Sequence, residues 1–144
     1  MLIRLMTRKD CAQVADIEKE SFSIPWSLEA FTETVEKQNY CYVVAEETGE
    51  ILGYCGFTYV LDEAEIPNVC VKATARHQGI GRRIMAVLLG EAKKRGITVV
   101  YLEVRESNHA ARKLYESMGF ETDGIRAGFY ERPKENAVLM HKMI

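Results

Sequence analysis

Two glycines separated by one residue lie between a predicted strand and a predicted long helix, in the segment Arg76-His-Gln-Gly79-Ile-Gly81-Arg-Arg83. The first N–H groups of a helix have no partner inside the helix, and the helix dipole is positive at that end. Such an end binds phosphate oxygens, and the neighbouring arginines add positive charge. The Gly-Lys-Ser/Thr of a P-loop is missing, as is the third glycine of a dinucleotide fingerprint. The segment therefore predicts either an anion site or a glycine turn that only opens a helix.

One glutamate interrupts an apolar run, at Glu103 in Leu102-Glu-Val-Arg105. An ionised carboxylate is costly to bury without a partner, so its presence in a strand needs a reason. One interpretation is an ion pair with Arg105, two residues further on the same face of the strand. The other is a general base whose pKa is shifted by its surroundings.

Tyr115 lies on the apolar stripe of a predicted helix between Asn108 and Met118. An aromatic residue at this spacing is either part of the core or a catalytic hydroxyl. Asn108 is predicted to cap the helix. None of the three histidines has the spacing of a metal ligand, and none of the four cysteines forms a C-x-x-C pair. The sequence therefore predicts no metal site.

Hydrophobic periodicity and turn residues predict the elements that must position these side chains. Helices are expected up to about Ser21, from Ser27 to about Lys37, from Ile80 to Gly96, and from Asn108 to Met118. Strands are expected at Leu2–Met6, Tyr40–Glu46, Ile51–Val60, Ile66–Val71, Thr98–Val104, Phe120–Thr122 and Ala137–Met143. The nearly continuous apolar run Thr98–Val104 is typical of a strand covered on both faces. Alternating strands and helices in the second half predict parallel pairing there, beside an antiparallel first half. We expect a mixed α/β fold, with a central sheet flanked by helices.

Length and composition predict a single domain over residues 1–144, with 47% hydrophobic and 28% charged residues. The net charge of −2 gives no global attraction for nucleic acid or for an anionic membrane. The cysteines lie among apolar residues, and the segment Met1–Met6 lacks the pattern of a signal peptide. We therefore expect a cytoplasmic protein, with no nucleic-acid or membrane partner, that is a monomer.

The order strand, Arg-x-x-Gly-x-Gly, helix, strand and then Asn108-His-Ala-Ala-Arg-Lys-Leu-Tyr-Glu-Ser-Met-Gly-Phe120 resembles the GCN5-related N-acetyltransferase (GNAT) superfamily. Narrower features are similar to the bacterial ribosomal-protein alanine N-acetyltransferases, the RimI group. These are the segments Glu20-Ser-Phe-Ser-Ile-Pro-Trp-Ser27, Leu102–Asn108 and Gly124-Ile-Arg126 followed by Phe129-Tyr130. The resemblance covers almost the whole chain.

The resemblance implies a GNAT-like fold, acetyl-CoA as the acetyl donor and no metal. The implied acceptor is the N-terminal α-amine of a protein, an alanine of the small-subunit ribosomal protein number eighteen. Glu103 matches the general base of the family, and Tyr115 matches its general acid. The implied cofactor contacts are Val69, Cys70, Val71, His77, Gln78, Gly79, Ile80, Gly81, Arg82 and Asn108. The implied acceptor groove contains Trp26, Arg126 and Tyr130.

Some positions depart from the pattern of the RimI group. Phe129 stands where a second tyrosine is common, Glu135-Asn136 replaces a more acidic pair, and Pro67 and Cys70 are unusual in the cofactor strand. Acceptor specificity therefore stays open, and acetylation of a small amine such as a polyamine or amino sugar is an alternative. A non-catalytic acyl-CoA-binding module is a third interpretation, although it leaves Glu103 without a purpose.

Overall fold

The computed structural model describes all residues, Met1–Ile144, and its strands form one mixed seven-stranded sheet. The strands are β1 (Leu2–Leu5), β2 (Tyr40–Glu47), β3 (Glu50–Val60), β4 (Glu63–Val71), β5 (Val99–Arg105), β6 (Glu121–Tyr130) and β7 (Glu135–Met143). Their order across the sheet is β1-β2-β3-β4-β5-β7-β6. With the helices that flank this sheet, the predicted mixed α/β class is confirmed.

The helices begin and end where local chemistry predicts. They are α1 (Cys11–Ser21), α2 (Leu28–Val35), α3 (Ile80–Lys94) and α4 (His109–Ser117). The Ser27 hydroxyl accepts from the Ala30 N–H at 3.1 Å, which caps α2. Gly96 and Gly119 take positive φ angles of 78° and 92° and end α3 and α4. No helix of the chain is both long enough and apolar enough to cross a membrane.

The pairing of the second half departs from the prediction in one respect. β4 and β5 are parallel, as the order β4-α3-β5 requires. β6 does not join β5, because β7 lies between them and is antiparallel to both. The short turn after Tyr130 makes β6 and β7 a hairpin. Periodicity can predict the two strands of such a hairpin, but not its place in the sheet.

Two hydrophobic cores lie on opposite faces of the sheet. The larger, of 21 buried residues, packs under α3 and includes Ile84, Val100 and Leu102. The smaller, of 10 buried residues, packs under α1 and α2 and includes Val14 and Phe31. On this second face the outer half of the sheet has no helix over it, and Tyr101 is 43% exposed. The prediction that β5 is covered on both faces is therefore wrong.

An irregularity in β4 separates it from β5. The register with β3 shifts between Gly56 and Thr58, so that Ile66 and Pro67 of β4 together face one residue of β3. The parallel pairing with β5 ends at the same place, since its last pair joins Ile66 to Leu102. Proline has no N–H to donate and is tolerated at such a bulge. Beyond Pro67 the two strands leave an open space between their edges.

Candidate active site

A cavity of about 590 Å³ lies where β4 and β5 separate. Each of its walls comes from a different part of the chain. The walls are formed by Ile66–Val69 of β4, Leu102–Arg105 of β5, Asn108 and Tyr115 at α4, Glu18, Ser21–Ile24 and Trp26 at the end of α1, and Phe129–Pro133 at the β6–β7 turn. The cavity therefore brings together both predicted catalytic residues and four of the predicted binding residues, while the predicted cofactor residues 77–82 lie outside its walls. The six that line it are Glu103, Tyr115, Val69, Asn108, Trp26 and Tyr130.

The edge of β4 that faces the cavity has free main-chain groups. The Lys72 N–H donates to the Leu52 carbonyl at 2.7 Å, and β4 and β3 are antiparallel. In this arrangement every second residue directs its main-chain N–H and C=O away from the partner strand. Val69 and Val71 are those residues. The Val71 carbonyl already accepts a hydrogen bond from Arg76 Nε at 3.1 Å. The edge can therefore bind an extended, amide-containing ligand as an added strand would.

Cys70 does not take part in this edge, contrary to the prediction that it contacts the cofactor. Its main chain pairs with Tyr54 of β3, and its side chain is buried in the smaller core. The Cys70 Sγ lies 2.8 Å from the Ser21 hydroxyl. The alternation of side chains along a strand accounts for this, because residues 69 and 71 face the opposite way.

The start of α3 forms an anion site from main-chain groups. The N–H groups of residues 77–82 have no acceptor in the protein, and the first bond of this segment runs from the Arg83 N–H to the Gly79 carbonyl. Gly79 has a φ of +78°, and a Cβ placed on it would meet nothing within 4 Å. Arg82 is hydrogen-bonded to Ser117, which ties this end of α3 to α4. The free N–H groups and the helix dipole suit the phosphates of a nucleotide cofactor.

Glu103 lies half-buried on the sheet face opposite α3, because its neighbours Leu102 and Val104 point into the larger core. Arg105 is not its partner: that guanidinium bonds Glu135 at 3.2 Å and the Pro133 carbonyl at 2.9 Å. Burial raises the pKa of Glu103 above its usual value, and the charge of Glu65 adds to this. Arg126 opposes the shift. The ion-pair interpretation of Glu103 is therefore wrong.

Tyr115 approaches the cavity from the other face of the sheet. Its ring is buried in the larger core and packs against Phe120 at 5.9 Å between ring centroids. Burial raises the pKa of Tyr115 well above its usual value, so the hydroxyl keeps its proton. Asn108 also lines the cavity, while its Oδ1 accepts from the Ala111 N–H at 3.2 Å as the predicted helix cap. Tyr115 can thus donate a proton on the side where the β4 edge is free.

Two of the three predicted acceptor residues line the cavity. Trp26 and Tyr130 do so, and burial together with the charge of Glu103 raises the pKa of Tyr130 to about 12. Arg126 does not: it is exposed on β6, with its guanidinium 5.2 Å from the ring centroid of Phe129. The position of Arg126 in the sequence motif does not indicate that its side chain points away from the cavity. Phe129 itself is among the lining residues.

Sequence reasoning missed two carboxylates of the site. Glu18 is buried at the cavity wall, and Glu65 of β4 is close enough to Glu103 to raise its pKa. A signal for Glu18 was present, because it follows Cys11 and Val14 at helical spacing on the apolar stripe of α1. Glu65 carried none, since its position depends on the pairing of β4 with β5.

Comparisons with known proteins show which sequences and structures this chain is similar to. The sequence profile of the Acetyltransferase (GNAT) family matches residues 11–120. The [ribosomal protein bS18]-alanine N-acetyltransferase of Escherichia coli strain K12 is 35% identical over 126 residues, which are 86% of this chain and 84% of that one.

Solved structures are similar over the whole chain. The crystal structure of the ribosomal-protein-S18-alanine N-acetyltransferase from Escherichia coli has a TM-score of 0.91 and 32% identity, covering 99% of this chain and 93% of that one. The PaiA N-acetyltransferase of Thermoplasma acidophilum, in complex with coenzyme A, has a TM-score of 0.84 at 17% identity, with both chains fully covered. At that identity the second likeness shows the fold alone.

Proposed function

The chain belongs to the Acetyltransferase (GNAT) family of acetyl-CoA-dependent enzymes, and from this premise we propose that it acetylates the N-terminal alanine of ribosomal protein bS18. Residues 1–144 act as one monomeric domain in the cytoplasm. One observation carries the proposal: a single cavity joins the free edge of β4 at Val69 to a half-buried carboxylate, and the chain runs from the end of β4 directly to the anion-binding start of α3. The name of the Escherichia coli relative supports the choice of acceptor.

The donor side is formed by main-chain groups of this chain. Acetyl-CoA, when bound, supplies an acetyl group already activated as a thioester. The N–H groups of residues 77–82 hold its diphosphate at the start of α3, and Val69 and Val71 bind its amide-containing arm. No group of His, Cys, Asp and Glu side chains is arranged to hold a metal.

Glu103 acts as the general base on the acceptor side. A free α-amine has a pKa of about 7.7–8.0, so much of it is protonated at neutral pH and cannot attack. The raised pKa of Glu103 makes its carboxylate a better proton acceptor than an exposed glutamate. Glu103 takes the proton directly or through a water molecule, and the amine nitrogen then bonds to the acetyl carbon.

Val69 and Tyr115 act on the other two atoms that gain charge. The Val69 N–H, directed into the cleft, stabilises the negative charge on the acetyl oxygen. As the carbon–sulfur bond breaks, the Tyr115 hydroxyl gives its proton to the leaving sulfur. After the attack the nitrogen still carries one proton too many, which passes through water to the Tyr115 oxygen. Solvent removes the proton held by Glu103, so both side chains return to their starting state and one proton is released overall.

The test is acetyl transfer to a peptide with the N-terminal sequence of the host's own bS18, also containing an internal lysine. Fragment mass spectrometry should place the acetyl group on the terminal amine, because a lysine ammonium with a pKa of about 10.4 is rarely neutral at pH 7. The same peptide with a blocked terminus is the control, and spermidine and glucosamine serve as small amines. Preference for lysine or for a small amine would contradict the proposed acceptor.

A further inference from the structure

Glu18 is a buried carboxylate at the cavity wall that takes no part in the proposed reaction. It is 2% exposed and forms no ion pair with lysine or arginine. Its Oε1 accepts from the Tyr54 hydroxyl at 2.8 Å and from Asn68 Nδ2 at 3.1 Å. Its Oε2 accepts from the Trp26 main-chain N–H at 2.8 Å. Three donors and no acceptor therefore face this carboxylate, whose burial without them would be costly.

Glu18 holds both ends of the turn that leads from α1 to α2. Its main-chain carbonyl accepts from the Phe22 N–H at 2.9 Å, and its side chain holds the Trp26 N–H. No other hydrogen bond ties residues 22–26 to the rest of the protein. Residues 22–24 of the turn are exposed, with Ile24 at 59% exposure, and the turn forms one wall of the cavity. Without Glu18 only side-chain packing, chiefly that of the Trp26 ring, would hold this segment.

The same carboxylate connects that turn to the strand whose free edge faces the cleft. Asn68 belongs to β4, directly before Val69, and its Oδ1 accepts from the Tyr42 hydroxyl at 2.8 Å. This bond fixes the orientation of the amide, so that Nδ2 is directed at Glu18. The Trp26 ring packs against Phe31 and Tyr42, with centroids 5.3 Å and 6.4 Å away. The turn and β4 are thus held in one network.

We propose that Glu18 is a positioning residue that fixes the Phe22–Trp26 turn and thereby sets the affinity for the acceptor. It acts through Trp26 and does not touch the reacting atoms. The inference rests on the proposed function, in that it takes the cavity wall at Trp26 to contact the acceptor peptide. Ordering a mobile segment on binding costs conformational entropy, and an ordered wall avoids that cost.

The variant Glu18→Gln tests this with almost no change of shape. One carboxylate oxygen becomes an NH₂ group, which is itself a donor. It therefore cannot accept the hydrogen bond from the Trp26 N–H or the one from the Tyr54 hydroxyl, depending on which oxygen is replaced. We expect the KM for the acceptor peptide to rise about tenfold, the scale of one lost hydrogen bond to a charged group. The KM for acetyl-CoA and kcat at saturating acceptor should stay within about twofold, as expected when only acceptor binding is lost.

Gln13→Glu is the matched control on the same helix. Gln13 bonds the Ile51 N–H at 2.9 Å and the Gly49 carbonyl at 3.2 Å, both at the β2–β3 turn and outside the cavity wall. This substitution makes the reverse exchange of amide for carboxylate. It is expected to lower stability with no change in the KM for the acceptor. A purely structural role for Glu18 predicts the same result in both variants.

Trp26 is the only tryptophan, so its fluorescence reports on the turn without any substrate. A red shift of the emission is expected in Glu18→Gln and not in Gln13→Glu, because the released ring gains contact with water. Unchanged emission together with an unchanged acceptor KM would overturn the proposal. If Glu18→Gln does not fold, Glu18→Asp and Tyr54→Phe decide by the same two measurements. If the wild-type protein acetylates no terminal amine, the proposed function fails, while the fluorescence comparison still tests the role of Glu18 in the turn.

Discussion

Glu103 has a pKa governed by neighbours of different kinds. Burial and the charge of Glu65 raise it, and the exposed Arg126 lowers it. As the proposed general base, Glu103 must be ionised to accept a proton, so we expect activity to fall as the pH drops through this raised pKa. We therefore expect Glu65 and Arg126 to influence the acid limb of the pH profile, although neither takes part in the proposed reaction.

Replacing Glu103 with glutamine keeps its shape and removes the base. Turnover should fall by about 10²–10⁴-fold, the usual contribution of a general base. Raising the pH from 7 to 9 should restore part of the loss, since the α-amine then loses its proton without help. Steady-state rates across this range are the measurement, with the exposed Glu116→Gln on α4 as the control. Turnover equal to that of the wild type would remove Glu103 from the mechanism.

The same substitution should raise stability at neutral pH. The pKa of Glu103 is raised in the folded state, so its favourable contribution is complete below the ordinary glutamate pKa and is lost as the pH rises through the folded-state value. Glutamine stays neutral at every pH, so the variant does not lose stability as the pH rises. The Tm of Glu103→Gln should match the wild type at about pH 4 and exceed it at about pH 7.5. A lower Tm at neutral pH would show that Glu103 is a structural group.

Removing the Tyr115 hydroxyl should slow a different step. Tyr115→Phe keeps the buried ring and its contact with Phe120, so the Tm should change little. Turnover should fall, and higher pH should not restore it, because the missing proton is the one for the leaving sulfur. Tyr59→Phe is the control, since that hydroxyl bonds the Gln38 carbonyl outside the cavity wall. Rescue of Tyr115→Phe by pH would contradict its role as the acid.

The two glycines of the Gly-x-Gly turn at the start of α3 have different surroundings. Gly79→Ala places a side chain at φ +78°, in the open space before the free N–H groups. At Gly81 a Cβ would instead meet Leu114 at 3.4 Å, an ordinary contact directed at α4. We expect the Kd for CoA to rise at least about tenfold in Gly79→Ala, which is ~1.4 kcal/mol, and to change less in Gly81→Ala.

Gly49→Ala is the matched control for the backbone strain. Gly49 has a φ of +85° and no atom within 4 Å of its Cβ, but it lies in the β2–β3 turn. Both alanines should lose a similar ~1–2 kcal/mol of stability for the left-handed conformation. Calorimetry should show weaker CoA binding only in Gly79→Ala. Equal CoA affinity in Gly79→Ala and Gly49→Ala would contradict the proposal that the diphosphate binds at Gly79.

The ends of the helices could be predicted from the sequence because they depend on neighbouring residues, whereas the strand predicted at Phe120–Thr122 extends to Tyr130. Ser27 and Asn108 cap their helices, and Gly96 and Gly119 end theirs, through contacts a few residues apart. The start of α3 was predictable for the same reason. The bulge at Ile66–Pro67 was not, because it depends on the register of two strands. Nor was the direction of Cys70, which follows from that register.

The site is a gap in one sheet between two cores. Glu18, Glu103 and Trp26 approach it from the face of α1 and α2, and Tyr115 approaches from the face of α3 and α4. A donor on one face and an acceptor on the other can therefore meet only between β4 and β5. Local patterns could predict the residues of each face, but the pairing of distant strands makes the gap.

This arrangement predicts that CoA stabilises the whole fold, because it bridges the free edge of β4 and the start of α3. A ligand at about 100 times its Kd stabilises the native state by ~2.7 kcal/mol. For a chain of this size, that corresponds to a rise in Tm of about 5–10 °C. Thermal unfolding should show it in the wild type and in Glu103→Gln, since Glu103 lies on the acceptor face, and much less in Gly79→Ala at the same CoA concentration. An equal rise in Gly79→Ala, or none in the wild type, would show that CoA does not bind along this path.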